Sequence, residues 1–256
     1  MNQTVYRAAD TRDLILFAAH CLVRLLGHVD HRICLALAGG STPRVLYERL
    51  ASADVADRLP WRHMHFFWGD ERHVPPDHPE SNYRLAYEAL LSKVPVPASQ
   101  IHRIHSELPR AVEAAERYEQ ELRTVFPVQS APPRFDLILL GMGEDGHTAS
   151  LFPGSEVIHE TAKLVAAPWV EKLQAYRITL TPVVLNAARQ VWFLVCGEAK
   201  ARALQAVLEG PYDPDTYPAQ IVRPVDGQLV WFVDAAAAAW LSRTECVSVC
   251  SAESVL

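Results

Sequence analysis

Six short apolar runs punctuate the chain, at Ile33–Ala38, Met64–Trp68, Phe135–Leu140, Tyr176–Leu180, Val191–Cys196 and Leu229–Val233. They read as strands, and most of the gaps between them carry helical periodicity. Two helices stand out. Ala111, Ala115, Tyr118, Leu122 and Val125 share one face, and Thr11 can cap a segment that ends near Gly27. Strands that are apolar throughout, rather than alternating, are buried on both faces, so this order predicts an α/β chain with a mostly parallel sheet and helices on either side. Asp226-Gly227, just ahead of Leu229–Val233, is a turn signal that suits a hairpin and suggests an antiparallel edge element. No Gly/Ser-rich linker or internal repeat divides the chain and its prolines are spread along it, so residues 1–256 are expected to form a single domain. The stretch after about residue 242 lacks periodicity and reads as a frayed tail.

Composition narrows the function. With 256 residues and 50% hydrophobic content the chain can bury a substantial core. A formal net charge of −6 argues against nucleic acid or anionic membrane as partners, because both call for a basic face. Any anionic ligand must then be held by a local cluster of cations. The five cysteines, Cys21, Cys34, Cys196, Cys246 and Cys250, are odd in number, and three lie in apolar runs where a free thiol behaves as a small hydrophobe. A reducing cytosol fits. The opening MNQTVYRAADTRD lacks a basic region followed by an apolar core, and the apolar stretch from Leu14 is broken by His20 and Arg24, so neither a signal peptide nor a membrane span is expected.

In open α/β sheets ligands sit outside the carboxyl ends of the strands, which selects four segments. Gly39-Gly40-Ser41-Thr42-Pro43 comes directly after the first run. Its glycines allow a tight turn, its hydroxyls can cap a helix, Pro43 suits a first helical position, and free N–H groups there can bind phosphate. The same segment also fits an ordinary strand-to-helix turn. Trp68-Gly69-Asp70-Glu71-Arg72 offers two acids and a guanidinium that can clamp a phosphate, or simply a structural salt bridge. Gly141-Met142-Gly143-Glu144-Asp145-Gly146-His147-Thr148 matches G-x-G-x-x-G, yet Pro153 interrupts the segment soon after it begins and no acid stands where a dinucleotide site needs one. What distinguishes this loop is His147, beside Asp145 and two glycines. A carboxylate can fix an imidazole's tautomer while glycine, Gly143 among them, lets a substrate approach closely. Arg177 and Lys200 come later in the chain. Each is either a solvated side chain or a cation turned toward the same crevice. His63-x-His65 and His102-x-x-His105 lack a third partner at ligand spacing, so no catalytic metal is expected, and no cofactor.

Taken together, GGSTP, WGDERHVPPDHPESNYRLA, LLGMGEDGHTASLFPG, RITLTPVVLN and YPAQIVRP resemble the 6-phosphogluconolactonase family in order and spacing, from about Leu35 to about Ala239. The resemblance implies a Rossmann-like three-layer α/β/α fold shared with glucosamine-6-phosphate deaminases. It also implies hydrolysis of 6-phosphogluconolactone to 6-phosphogluconate in the pentose phosphate pathway. Position by position, it assigns His147 to water activation, Gly39, Gly40, Ser41 and Thr42 with Arg72 and Lys200 to phosphate, and Asp70 and Arg177 to the same pocket. The related deaminases carry a glutamate five residues after the corresponding histidine, where this chain has Phe152. That difference favours lactone hydrolysis over deaminase or isomerase chemistry. A third reading is a non-catalytic sugar-phosphate sensor; such sensors usually join a DNA-binding module to the fold, and no separate basic helical segment is seen here to serve as one. The implied partner is a small phosphorylated lactone. Oligomeric state stays open, with a monomer favoured.

Overall fold

The computed structural model describes residues 3–126, 132–242 and 247–248. It opens with a strand that the apolar pattern does not announce, β1 (Gln3–Ala8), followed by α1 (Thr11–Leu26). Strand β2 (Ile33–Leu37) leads into α2 (Ser41–Leu50) and the short α3 (Ala53–Ala56). Then come β3 (Met64–Trp68), β4 (Asp70–Arg72), α4 (Asn82–Ala86) and α5 (Ala111–Val125). Strand β5 (Leu137–Leu140) precedes the two-residue strands β6 (Val165–Ala166) and β7 (Trp169–Val170) and the longer β8 (Ala175–Leu180). The order ends with α6 (Pro182–Leu185), β9 (Gln190–Val195), α7 (Ala201–Glu209), β10 (Gln228–Asp234) and β11 (Val247–Ser248).

Seven strands make the main sheet in the order β11-β1-β10-β9-β5-β2-β3, and every ladder in it is parallel. All residues of β2 and β5 are buried, which is why they read as unbroken apolar runs. Helix α1 buries Leu14, Ile15, Ala18, Ala19 and Leu22 at helical spacing and packs against α2, while α5 packs on β8. The mostly parallel α/β arrangement expected from the sequence is present. One continuous apolar cluster runs from Ala8 to Ala238. Among the described residues no helix is long and apolar enough to cross a membrane.

Several local expectations need correction. Strand β10 pairs in parallel with both β1 and β9, inside the sheet, so Asp226-Gly227 is not the turn of a hairpin and β10 is not an antiparallel edge. Antiparallel pairing occurs instead in a second sheet, β4-β8-β6, with β7 also paired to β8. The run from Tyr176 thus leaves the main sheet. Helix α1 is capped by Asp10, whose carboxylate accepts from the Asp13 N–H at 2.9 Å, and Thr11 is its first helical residue. A carboxylate also complements the positive end of the helix dipole, which a hydroxyl does not. The Thr11 hydroxyl instead donates to buried Asp234 at 3.0 Å. Most of the expected frayed tail lies outside the described residues, but Val247 and Ser248 pair with β1.

Two buried tyrosines hold the strand ends that carry the site. The Tyr47 hydroxyl accepts the Ala38 N–H at 2.9 Å and donates to the Ala38 carbonyl at 2.7 Å. Tyr118 does the same for Trp68, at 2.9 and 3.0 Å. Each phenol replaces strand partners at the point where the backbone turns out of the sheet, and burial raises both phenols well above their ordinary range.

Candidate active site

Strands β2 and β5 are neighbours, but from β2 the chain moves on to β3 on one side, and from β5 the sheet continues to β9 on the other. Such a switch point opens a crevice at the carboxyl ends of the strands. Here it is a cavity of about 240 Å³, walled by the segments after β2, β3, β5 and β9.

The wall after β2 is Gly39–Thr42. Gly40 occupies the N-cap of α2 with φ of 104°, a left-handed conformation that side chains rarely adopt. No side chain caps this helix, so the Ser41 and Thr42 hydroxyls do not take the capping role expected of them, and Pro43 stands third in the helix rather than first. An uncapped ten-residue helix leaves its first N–H groups and positive dipole end facing the cavity, which suits an anion.

The wall after β5 carries His147. Its Nδ1 donates to Asp145 Oδ1 at 2.6 Å, and its backbone N–H reaches the same oxygen at 3.1 Å. With that tautomer Nε2 keeps its lone pair, and it has no protein partner among the described residues. The imidazole lies on the Phe152 ring, with centroids 4.3 Å apart and planes 27° from parallel. Gly143 touches the other part of this arrangement: a Cβ there would overlap the His147 ring and the Asp145 carboxylate. The Gly143 N–H bonds the His147 carbonyl at 2.8 Å and the Gly146 N–H bonds the Gly143 carbonyl at 3.1 Å, so these two donors hold the loop rather than a ligand. No helix opens from this loop, and it therefore lacks the helix N-terminus that a dinucleotide fingerprint requires. Asp145 does not line the cavity but stands behind His147. Burial works to raise its carboxyl, yet hydrogen bonds from His147 and from Lys172 outweigh burial and hold it below the usual carboxylate range.

Asp70 and Arg72 line the cavity from β4. Asp70 Oδ2 accepts from the Ser150 hydroxyl at 2.7 Å, and the Asn82 amide donates to the Asp70 carbonyl at 2.9 Å. Glu71 points the other way into the protein and accepts the N–H groups of Arg72, Asn82 and Tyr83 at 2.7 to 2.8 Å. The salt-bridge alternative for this segment is therefore replaced by a buried carboxylate that ties β4 to the start of α4. Arg72 donates to the Glu80 carbonyl at 2.8 Å. Lys200 lines the cavity opposite, 3.8 Å from Glu144. Arg177 does not line the cavity, but it stands directly across β4–β8 from Arg72.

Sequence reasoning brought together Gly39–Thr42, Asp70, Arg72, Gly143, His147 and Lys200, and all of them meet here. It missed Asn82, Ser150 and Lys172. Asn82 and Ser150 sit within the stretches that carry the family resemblance, so their motifs held a signal, whereas Lys172 reaches Asp145 from a loop with no pattern of its own. Among the described residues no group of three His, Cys, Asp or Glu side chains is placed to hold a metal; His65 and His102 bond one another at 2.9 Å instead. Cys21, Cys34 and Cys196 are free thiols, with burial raising Cys34 to about 12 and Cys196 to about 11. Cys246 and Cys250 lie outside the described residues.

Known proteins resemble the chain over most of its length. The chain is 43% identical over 237 residues to a 6-phosphogluconolactonase of Nostoc sp., covering 91% of this chain and 93% of that one. It is 45% identical over 217 residues to the human 6-phosphogluconolactonase, covering 82% and 81% of the two chains. The solved structure of 6-phosphogluconolactonase from Trypanosoma brucei superposes with a TM-score of 0.83 at 29% identity, over 94% of this chain and 99% of that one. A family model described as glucosamine-6-phosphate isomerases/6-phosphogluconolactonase matches residues 9–231, and with a cavity at the β2/β5 switch point built from that matched stretch, the chain belongs to this family.

Proposed function

We propose that the chain hydrolyses 6-phosphogluconolactone to 6-phosphogluconate in the oxidative pentose phosphate pathway, with His147 as general base. The observation that carries this reading is the His147 imidazole on the cavity wall, its Nδ1 fixed by Asp145 and its Nε2 without a protein partner among the described residues. A water held at Nε2 gives up a proton as its oxygen attacks the lactone carbonyl. The tetrahedral intermediate then breaks its bond to the ring oxygen, which takes the proton back from the imidazolium. The product acid ionises in water. The lactone carbonyl is already electrophilic, so the step calls for neither a covalent intermediate nor a metal.

In the same reading the α2 N-terminus with Arg72 and Lys200 holds the phosphate, which answers how a chain of net charge −6 retains a dianion. Asp70 completes the cavity wall, and Arg177 stands behind it, across the β4–β8 pair from Arg72. The stacking of Phe152 on His147 supports hydrolysis over ring-opening deamination, because it puts an apolar face where the deaminases place a glutamate. The free thiols at Cys21, Cys34 and Cys196 suit a reducing cytosol.

The test is proton release from freshly prepared 6-phosphogluconolactone, corrected for spontaneous hydrolysis, beside ammonia release from glucosamine 6-phosphate. Lactone hydrolysis without ammonia supports the proposal. Ammonia release without lactone hydrolysis overturns it.

A further inference from the structure

We propose that Lys172 is a positioning residue of this site: its ammonium, seated on the second oxygen of the Asp145 carboxylate, offsets the field of that carboxylate at His147 while Asp145 keeps the ring oriented. This deepens the reading of His147 as the water-activating base and rests on it.

Asp145 uses its two oxygens for two different partners, Oδ1 for the His147 ring and Oδ2 for Lys172 Nζ. A carboxylate 2.6 Å from an imidazole, left to itself, stabilises the protonated ring and so removes the lone pair that a general base needs. A second cation on the far oxygen offsets much of that field. The hydrogen bond to Nδ1 survives this, because it depends on the carboxylate lone pair and not on net charge. Orientation and basicity are thereby separated: Asp145 sets the tautomer, and Lys172 sets how readily the ring takes up a proton from solvent.

The geometry around Lys172 is built for such a role. Lys172 lies in the turn between β7 and β8, which pair through Trp169–Tyr176 and Val170–Ala175, and the turn is closed by Gln174 with a left-handed φ of 47°. The Trp169 and Tyr176 rings meet edge to face at 5.0 Å and brace the base of the hairpin. Lys172 Nζ also stands 4.8 Å from the centre of the Phe152 ring, the ring on which His147 stacks. Carboxylate and aromatic face together fix the ammonium beside the imidazole without letting it touch the cavity, which Lys172 does not line. Among the described residues, the other charged or titratable groups facing the site are Glu144 on the His147 loop, Tyr217 packed on Gly146 of that loop, Asp70 and Arg72 on β4, Arg177 on β8, and Cys196 and Lys200 after β9. None of these bonds Asp145, so removing the Lys172 charge leaves their arrangement in place.

The Lys172 side chain is 52% exposed, which screens its charge and limits the effect. An exposed pair of this kind corresponds to a shift of about half a pH unit. The experiment follows the ring C–H resonances of His147 by NMR against pH in the wild type and in Lys172→Met, Lys172→Gln and Lys172→Arg, with the signals assigned through His147→Gln. The pH profile of kcat/KM on 6-phosphogluconolactone is recorded for the same proteins.

The expected result is that Lys172→Met and Lys172→Gln both move the His147 titration midpoint up by about half a pH unit and carry the acid limb of kcat/KM with it. Lys172→Arg should restore the wild-type values. Uncharged variants that titrate with the wild type would overturn the proposal, and so would a Lys172→Arg that titrates with Lys172→Met. A drop in kcat equal at every pH, with the limb unmoved, would assign Lys172 a purely structural part and also overturn it. The ring titration does not depend on turnover, so a wild type that leaves the lactone intact refutes the proposed function and leaves the Lys172 test standing.

Discussion

Arg72 and Arg177 stand directly opposite each other in the antiparallel pair β4–β8. Like charges in that position destabilise a ladder, and burial, with the Arg72 charge added, pushes the Arg177 guanidinium below its ordinary ionisation range. A pair of cations held together against their repulsion, with Arg72 on the cavity wall, is a site that gains when an anion arrives. Arg72→Ala should lose about 2 kcal/mol or more of substrate binding, the scale for truncating one partner of a buried charge contact. KM for 6-phosphogluconolactone rises, the preference over unphosphorylated gluconolactone shrinks, and the thermal midpoint does not fall, since one of two like charges has gone. An Arg72→Ala enzyme with unchanged KM and unchanged preference would refute the phosphate role.

Gly143 is the position where the loop leaves no room. Its missing Cβ is what lets the His147 ring and the Asp145 carboxylate lie side by side. Gly143→Ala should displace the imidazole by on the order of 1 Å and lower kcat by about 10²-fold, the usual cost of misplacing a catalytic group by that distance. Product affinity, read by calorimetry with 6-phosphogluconate, should change little because the phosphate wall is elsewhere. Wild-type kcat in a folded Gly143→Ala would mean that the ring has other ways to sit.

Tyr118 tests the scaffold separately from the chemistry. Tyr118→Phe deletes one oxygen and leaves the Trp68 N–H and carbonyl without that partner beneath the site. Unpaired buried polar groups make this variant less stable by about 2 kcal/mol, measured by urea unfolding with an unchanged slope. No loss of stability would show that water or a strand shift replaces the phenol.

The fold and site were legible in the sequence to the extent that each feature is local. The cavity walls after β2 and β5 are runs of consecutive residues, so Gly39–Thr42 and Gly143–His147 could be read as loops with chemistry. The parallel sheet was legible because strands buried on both faces have no polar positions. Strand β1 was not, since Gln3–Ala8 is half exposed and offers no apolar run. Asp226-Gly227 misled because a turn signal says that the chain reverses locally, not which strand it will pair with next. Lys172 was illegible for a stronger reason: its meaning lies in a contact with Asp145, 27 residues away, made by a hairpin whose strands are two residues on one side.

Activation of water at the Nε2 of His147, which has no protein partner among the described residues, is tested by His147→Gln. Glutamine keeps the position polar and leaves the α2 terminus, Arg72 and Lys200 untouched, but it cannot take a proton. The measurement is kcat on freshly prepared 6-phosphogluconolactone, corrected for spontaneous hydrolysis, beside the dissociation constant for 6-phosphogluconate. With the base removed, kcat should fall by roughly 10²-fold or more, the contribution of a positioned general base, while the dissociation constant stays within about twofold. A folded His147→Gln enzyme that retains near wild-type kcat would contradict it and turn attention to Asp70.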